Sequence, residues 1–391
     1  MFDKIPKPLL PTVDEGFFMF GCWNEEQCGN LHTPRNHVAA VIKYVLKSRH
    51  LSVSNLIIAG DNNYPLYFRK TERSIKLYRL GVLQRASKLI KDLNIPTHIL
   101  LGNHEDIPCA YNAQLHAFRS EKIHVHTNNT YLHNDRGKYN FIFLNTNYID
   151  GSEYSNFDVL ATYIKRHINN KKPNVIVGHH PIYSFKRKKT NSFDPDGEFL
   201  KLLFNGVSDD TILFYLCADT HHFQISTLKH HDCPNKILYQ IIVGTGGAHL
   251  DDTPDDNTMI KLTKPDTKVD YRYLYTNKSY GFLYVNLPLF TFFKINIETD
   301  ELPIYTFDLT DILHRPISEL PNYTINADFK MPEYIVDNKT DCDRLEYLLD
   351  NAREIDTQHS QFRAPSSTDL GDIYAIDNPH TYCKLPKISS T

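Results

Sequence analysis

Carboxylate, amide, imidazole, phenol and thiol side chains recur together in five short motifs of this chain. They are Gly-Cys-Trp-Asn at 21–24, Gly-Asp-Asn-Asn-Tyr at 60–64, Gly-Asn-His-Glu at 102–105, Gly-His-His-Pro at 178–181 and Ala-Asp-Thr-His-His at 218–222. Asp oxygen, Asn carbonyl, His nitrogen and Tyr oxygen make a mixed nitrogen and oxygen donor set suited to Fe, Mn or Zn. The glycines just before Asp61, Asn103 and His179 allow the chain to turn sharply and come close to a bound ion.

Four of the motifs directly follow an apolar run, so residues distant in sequence converge if those runs are strands whose carboxyl ends share a crevice. Strands are expected at 17–20, 56–59, 98–101, 141–144, 175–177 and 212–217. Apolar residues at three- and four-residue spacing predict helices at 37–50, 73–93, 159–169 and 198–204. The alternation argues for an α/β architecture with helices packed outside sheets. Aromatic and branched runs across 280–309 read as closing antiparallel strands, and 251–256 as a solvated acidic loop.

A chain of 391 residues with 41% hydrophobic and 12% aromatic content buries a sizeable core. With 43 basic and 46 acidic residues the formal net charge is -3, which gives no strong nucleic-acid signal and no footprint for an anionic membrane. Seven cysteines without regular spacing fit a reducing compartment better than a disulfide framework. Pro6, Pro8, Pro11, Asp14 and Glu15 interrupt the first residues, and no stretch approaches a membrane span, so an intracellular protein is expected. Beyond residue 310 the pattern weakens to Pro, Ser, Thr, Asn and Asp with one helical stretch at 342–355. An N-terminal extension (1–16), a main domain (17–310) and a partly helical or disordered tail (311–391) are therefore expected.

In order and spacing the motifs resemble those of the calcineurin-like metallophosphoesterases. The Trp of the first motif, the Tyr closing the second and the segment Tyr-Leu-Cys-Ala-Asp-Thr-His-His-Phe-Gln at 215–224 look like the purple acid phosphatase branch. This resemblance, over about 17–309, implies a four-layer sandwich of two mixed β-sheets flanked by helices, with two divalent or trivalent metal ions (Fe, Zn or Mn). It implies that Asp61 bridges the metals, Tyr64 and His221 complete the first site, and Asn103 and His179 hold the second. It further implies a phosphorylated substrate, in-line attack by a metal-bound hydroxide, and a His104 that assists the transition state or leaving group. A phosphomonoesterase is the reading; a phosphodiesterase, or a catalytically impaired binding protein on the same scaffold, is the alternative.

Two ligand positions depart from the family pattern. Cys22 stands where the family has Asp, and Asp219 where it has the first His of the last motif. A thiolate is softer and tilts the first site towards Zn or Fe, whereas an aspartate adds negative charge where an imidazole stood. Without metal, Asp61 and Asp219 would oppose like charges. The competing role for Cys22 is that of a small buried hydrophobe. Asn24 reads as a turn residue or a contact of the site, His180 and His222 as substrate contacts, supports of the ligands or ordinary loop histidines, and the basic run at 186–189 as an attractor of phosphorylated substrate or an acidic partner, or as a solvated face.

Overall fold

β-Branched and aromatic runs become the strands of two mixed sheets in the computed structural model, which describes residues 15–25, 33–49, 51–64, 66–70, 73–105, 108–132, 137–149, 155–186, 189–209, 211–253, 268–299, 301–309, 323–326 and 373–376. Across the first sheet the strands run Tyr323–Asn326, Glu301–Asp308, Leu289–Ile295, Tyr280–Asn286, Gly16–Phe20, Val53–Ala59, Thr97–Leu100 and Ile123–His126. The last four are parallel to one another. Across the second they run Val269–Asn277, Phe223–His230, Cys233–Val243, Leu213–Cys217, Asn174–Val177, Asn140–Phe143 and Thr130–Leu132, with a parallel block from Cys233–Val243 to Asn140–Phe143.

The sheets meet through aromatic side chains. Phe223 stacks on Phe292 with centroids 4.1 Å apart, Phe17 meets Phe141 edge-on at 5.0 Å, and Phe214 meets Phe290 at 5.7 Å. Helices cover the outer faces. Pro34–Arg49 starts at a proline whose missing N–H costs a first turn nothing, and buries Val38, Val41, Ile42 and Val45 at helical spacing. It packs on the strands Tyr280–Asn286 and Leu289–Ile295. Ser155–His167 and Glu198–Phe204 pack together, and Glu198–Phe204 lies on the second sheet. The buried Asp194 carboxylate starts the latter helix by accepting the Phe199 and Leu200 N–H groups at 3.1 and 2.9 Å. Among the described residues no helix is long and apolar enough to cross a membrane.

All six expected strands form, and helices cover most of 37–50 and 159–169 and all of 198–204. The segment expected as one helix at 73–93 divides: Arg73–Arg79 is a strand and the helix is Leu80–Leu93. Ile75 and Leu77 alternate with polar residues, a two-residue period that pairing with Leu66–Lys70 and Ile373–Ile376 exploits. The helix Pro108–Ala117 was not anticipated, because its small and apolar residues make no stripe. Within the weakly patterned end of the chain, Tyr323–Asn326 and Ile373–Ile376 are strands, while the helical stretch at 342–355 lies outside the described residues.

Between the two sheets, His98 Nδ1 and His126 Nε2 are 2.9 Å apart, and both rings stack on Phe143. Burial, reinforced by neighbouring histidines, pulls His98 down to about 4 and His126 to about 3. Unfolded histidine titrates near 6.5, so below that pH the unfolded chain binds more protons; the contribution is present above about 6.5 and is lost as pH falls towards the folded values. Urea unfolding at pH 7 and 4.5 should show the native protein losing on the order of 3 kcal/mol more than a His98→Gln, His126→Gln variant. Equal losses would contradict this origin.

Candidate metal centre

Each of the five motifs begins at or just past the carboxyl end of a strand in the parallel blocks: Gly16–Phe20, Val53–Ala59, Thr97–Leu100, Asn174–Val177 and Leu213–Cys217. The two sheets thus deliver all five loops to one crevice. Backbone hydrogen bonds zip them together. Cys22 N donates to Gly60 O at 3.0 Å, Gly21 N to Val243 O at 2.9 Å, and Ala248 N to Cys22 O at 2.8 Å. Side chains add to this: Trp23 Nε1 donates to Asn62 Oδ1 at 3.0 Å, and Asn24 Nδ2 donates to Asn62 O at 2.6 Å. Asn24 is thus a buried tie between loops, held in turn by the buried Arg35, rather than a simple turn residue.

Glu105 anchors the second motif. Its Oε1 accepts the N–H groups of Asn62 and Asn63 at 2.9 and 3.0 Å, and its Oε2 those of Asp61 and Gly102 at 3.1 and 2.8 Å. Burial and the nearby Asp61 charge push this carboxyl up, but four N–H donors leave no place for a proton and hold it as the carboxylate. The backbone around the crevice is unusual. Cys22, Asp61 and Asp219 all have positive φ, at 51, 55 and 53°. Such strain in non-glycine residues persists only where surroundings over-determine it. Gly102 and Gly60 permit the approach, since a Cβ on Gly102 would stand 2.2 Å from Asp61 Oδ1 and one on Gly60 2.5 Å from His179 Nδ1.

Every residue expected at the site joins one connected group. Asp61 Oδ2 accepts from the Tyr64 hydroxyl at 3.0 Å and lies 3.8 Å from Cys22 Sγ. Tyr64 Oη is 3.1 Å from His221 Nε2. His179 Nε2 faces Asn103 Oδ1 at 3.0 Å, Asp61 Oδ1 at 3.3 Å and Asp219 Oδ1 at 3.7 Å. His104 donates its backbone N–H to Asp61 Oδ1 at 3.3 Å and holds its ring Nε2 3.9 Å from Asp61 Oδ2. Cys22, Asp61 and His179 bring one ligand atom each within 4.8 Å of one another, as do His179, His180 and Asp219.

The electrostatics of this group call for positive charge. His179 Nδ1 donates to Ala59 O at 2.7 Å and His221 Nδ1 to His249 O at 2.6 Å, so in the neutral rings both Nε2 atoms point lone pairs at oxygen. Tyr64 has one hydrogen for two acceptors. Burial alone would raise Asp61, but the His179, His104 and His221 imidazoles more than offset it and hold the carboxyl at about 2. Burial likewise opposes Asp219, which His179, His180 and Lys186 pull down. Burial, followed by the Asp61 and Asp219 charges, pushes the Cys22 thiol well up. Protons on the imidazoles, or metal ions in their place, satisfy the oxygens.

Several surrounding residues differ from expectation. Asp251, read as part of a solvated loop, is buried: its Oδ2 accepts His221 N–H at 3.0 Å and lies 3.4 Å from Lys186 Nζ. No local pattern marks it, because its partners lie 30 and 65 residues away. His222 is fully buried against Gln224 Oε1 at 3.1 Å, which removes it from substrate contact, and burial lowers it to about 4. His180 Nδ1 is held by Thr146 Oγ1 at 2.8 Å. Of the basic run, Lys186 reaches the site, and 187–188 lie outside the described residues.

A family profile described as calcineurin-like phosphoesterase matches residues 27–223, which takes in four of the five motifs. Among solved structures, purple acid phosphatase PPD1 from yellow lupin (Lupinus luteus) seeds is similar at 14% identity and a TM-score of 0.48, over 81% of this chain and 58% of that one. This chain therefore spans little more than half the lupin protein. A dimetal phosphatase from Danio rerio is similar at 9% identity and a TM-score of 0.42, over 75% of this chain and 98% of that one. No curated protein sequence matches the chain.

Glu105→Gln replaces one acceptor oxygen by an NH2 group that meets N–H donors. It should cost at least about 3 kcal/mol in urea unfolding, since two charge-assisted bonds are lost and buried donors stay unpaired. A loss under about 1 kcal/mol would show that the clamp is unnecessary to the loop.

Proposed function

The chain belongs to the calcineurin-like phosphoesterase family, and on that premise we propose that its crevice hydrolyses phosphate monoesters with two metal ions held by the five loops. The observation that carries this is the set of three oxygens around His179 Nε2, an arrangement of lone pairs that a cation fits. Cys22, Asp61, Tyr64 and His221 would hold one ion, and Asp61, Asn103, His179 and Asp219 the other. Donor chemistry supports the fit: thiolate, phenolate, carboxylate, amide carbonyl and imidazole are all established ligand types for Zn or Fe. When bound, such ions supply Lewis acidity at phosphorus and bring the pKa of water towards about 7.

The protein's own residues do the rest. Glu105 fixes the Asp61 backbone, so the carboxylate that both ions would share cannot swing away. The Nδ1 bonds to Ala59 and His249 orient the His179 and His221 rings and keep their Nε2 atoms available. His104, its ring 4.5 Å from that of Tyr64 and its side chain 20% exposed, stands where the crevice meets solvent. It serves as the acid that gives a proton to the departing alcohol, a role an imidazole fills near neutral pH.

The test is hydrolysis of a simple aryl phosphate by protein reconstituted separately with Fe, Zn, Mn and Mg, beside the His104→Ala variant. Turnover with Zn or Fe that falls on the order of 100-fold in His104→Ala, at unchanged metal content, is the expected result. Metal uptake without turnover on any phosphate ester would favour a binding protein, and turnover confined to diesters a phosphodiesterase. Cys22→Ser should abolish the thiolate charge-transfer band of the cobalt-loaded protein. An unchanged spectrum would remove Cys22 from the ligand set.

A further inference from the structure

Lys186 ends the strand Ser184–Lys186, which pairs with Lys189–Asn191 in a short hairpin after the fourth motif. Its ammonium turns back into the crevice. Nζ donates to the backbone oxygen of Asp219 at 3.2 Å and lies 3.4 Å from Asp251 Oδ2. That same Asp251 oxygen accepts the His221 N–H, and Asp251 N donates to His221 O at 3.0 Å. The lysine therefore touches both residues that flank Thr220 in the last motif: one directly, the other through Asp251.

Charge gives this position its meaning. At position 219 an aspartate stands where the family resemblance leads one to expect a neutral imidazole, so the crevice carries one extra negative charge. Contacts fix the ammonium beside that charge: the Asp219 main-chain oxygen lies 3.2 Å away and the Asp251 carboxylate 3.4 Å. An ammonium has three N–H donors, of which these contacts use two, and the side chain is 38% exposed to solvent.

Resting on the phosphoesterase reading, we propose that Lys186 is a specificity-determining residue: it offsets the charge of Asp219 and donates its remaining N–H to a phosphoryl oxygen of the substrate. A fixed cation beside the ions favours the dianion of a monoester over the monoanion of a diester. The same cation repels the metal ions it adjoins. Lys186 thus trades metal affinity for phosphate affinity, and a residue that merely latched the His221 loop would not.

The test uses the full chain, titrated calorimetrically with zinc and then, when loaded, with inorganic phosphate, for the native protein, Lys186→Met and Lys186→Arg. The expected result for Lys186→Met is phosphate binding weakened about tenfold with zinc binding equal or tighter by a few fold, and Lys186→Arg close to native on both. Zinc and phosphate affinities that fall together would make Lys186 a latch and overturn the proposal. So would a phosphate affinity that ignores the substitution while zinc still binds; this leaves the metal centre standing. A native protein that takes up no zinc, iron or manganese would remove the centre and the proposal with it.

Discussion

The Asp61 carboxylate accepts hydrogens from the Tyr64 hydroxyl and the His104 main chain while the His179 Nε2 faces it, and much of the molecule is arranged so that it stays there. Two imidazoles donate through Nδ1 to main-chain oxygens, which turns their Nε2 atoms towards the carboxylate and its neighbours. A glutamate clamps the loops that follow two neighbouring strands of the first sheet, and glycines leave room where a Cβ would collide. In a buried site such oxygens are costly unless positive charge is present. The face-to-face aromatic packing of the sheets keeps the five loops in register, so the cost is borne by the scaffold as a whole.

The two departures from the family pattern make sense in charge. A thiolate at Cys22 has the same charge as the aspartate it replaces, so a bound cation would see no change in sign there, only a softer donor. Asp219 is different, because it adds a charge. Lys186 lies against its backbone oxygen and pairs with the Asp251 carboxylate, which places a positive charge beside it. All three of Cys22, Asp61 and Asp219 adopt positive φ, so the two departing positions share the backbone form of Asp61.

Local pattern made the fold class and the core of the site legible in the sequence. Strands at 17–20, 56–59, 98–101, 175–177 and 212–217 are short apolar runs with polar motifs behind them, and those motifs hold the residues that meet in the crevice. What could not be read depends on contacts far apart in the chain. Arg73–Arg79 fits a helical and a strand period alike until Ile373–Ile376 pairs with it. Asp251 looks like one of several loop acids, and only His221 and Lys186 explain why it is buried. Glu105 was visible within its motif, yet its four N–H bonds reach back to residues 61–63 as well as to Gly102, which spacing alone does not disclose.

This convergence of lone pairs is proposed to be a two-ion site. Anomalous X-ray scattering at the zinc edge, from crystals grown with zinc, tests it directly. Two peaks are expected beside the Asp61 carboxylate, one about 2.3 Å from Cys22 Sγ and the other about 2.1 Å from His179 Nε2. Absence of any peak beside Asp61 at saturating zinc would contradict it.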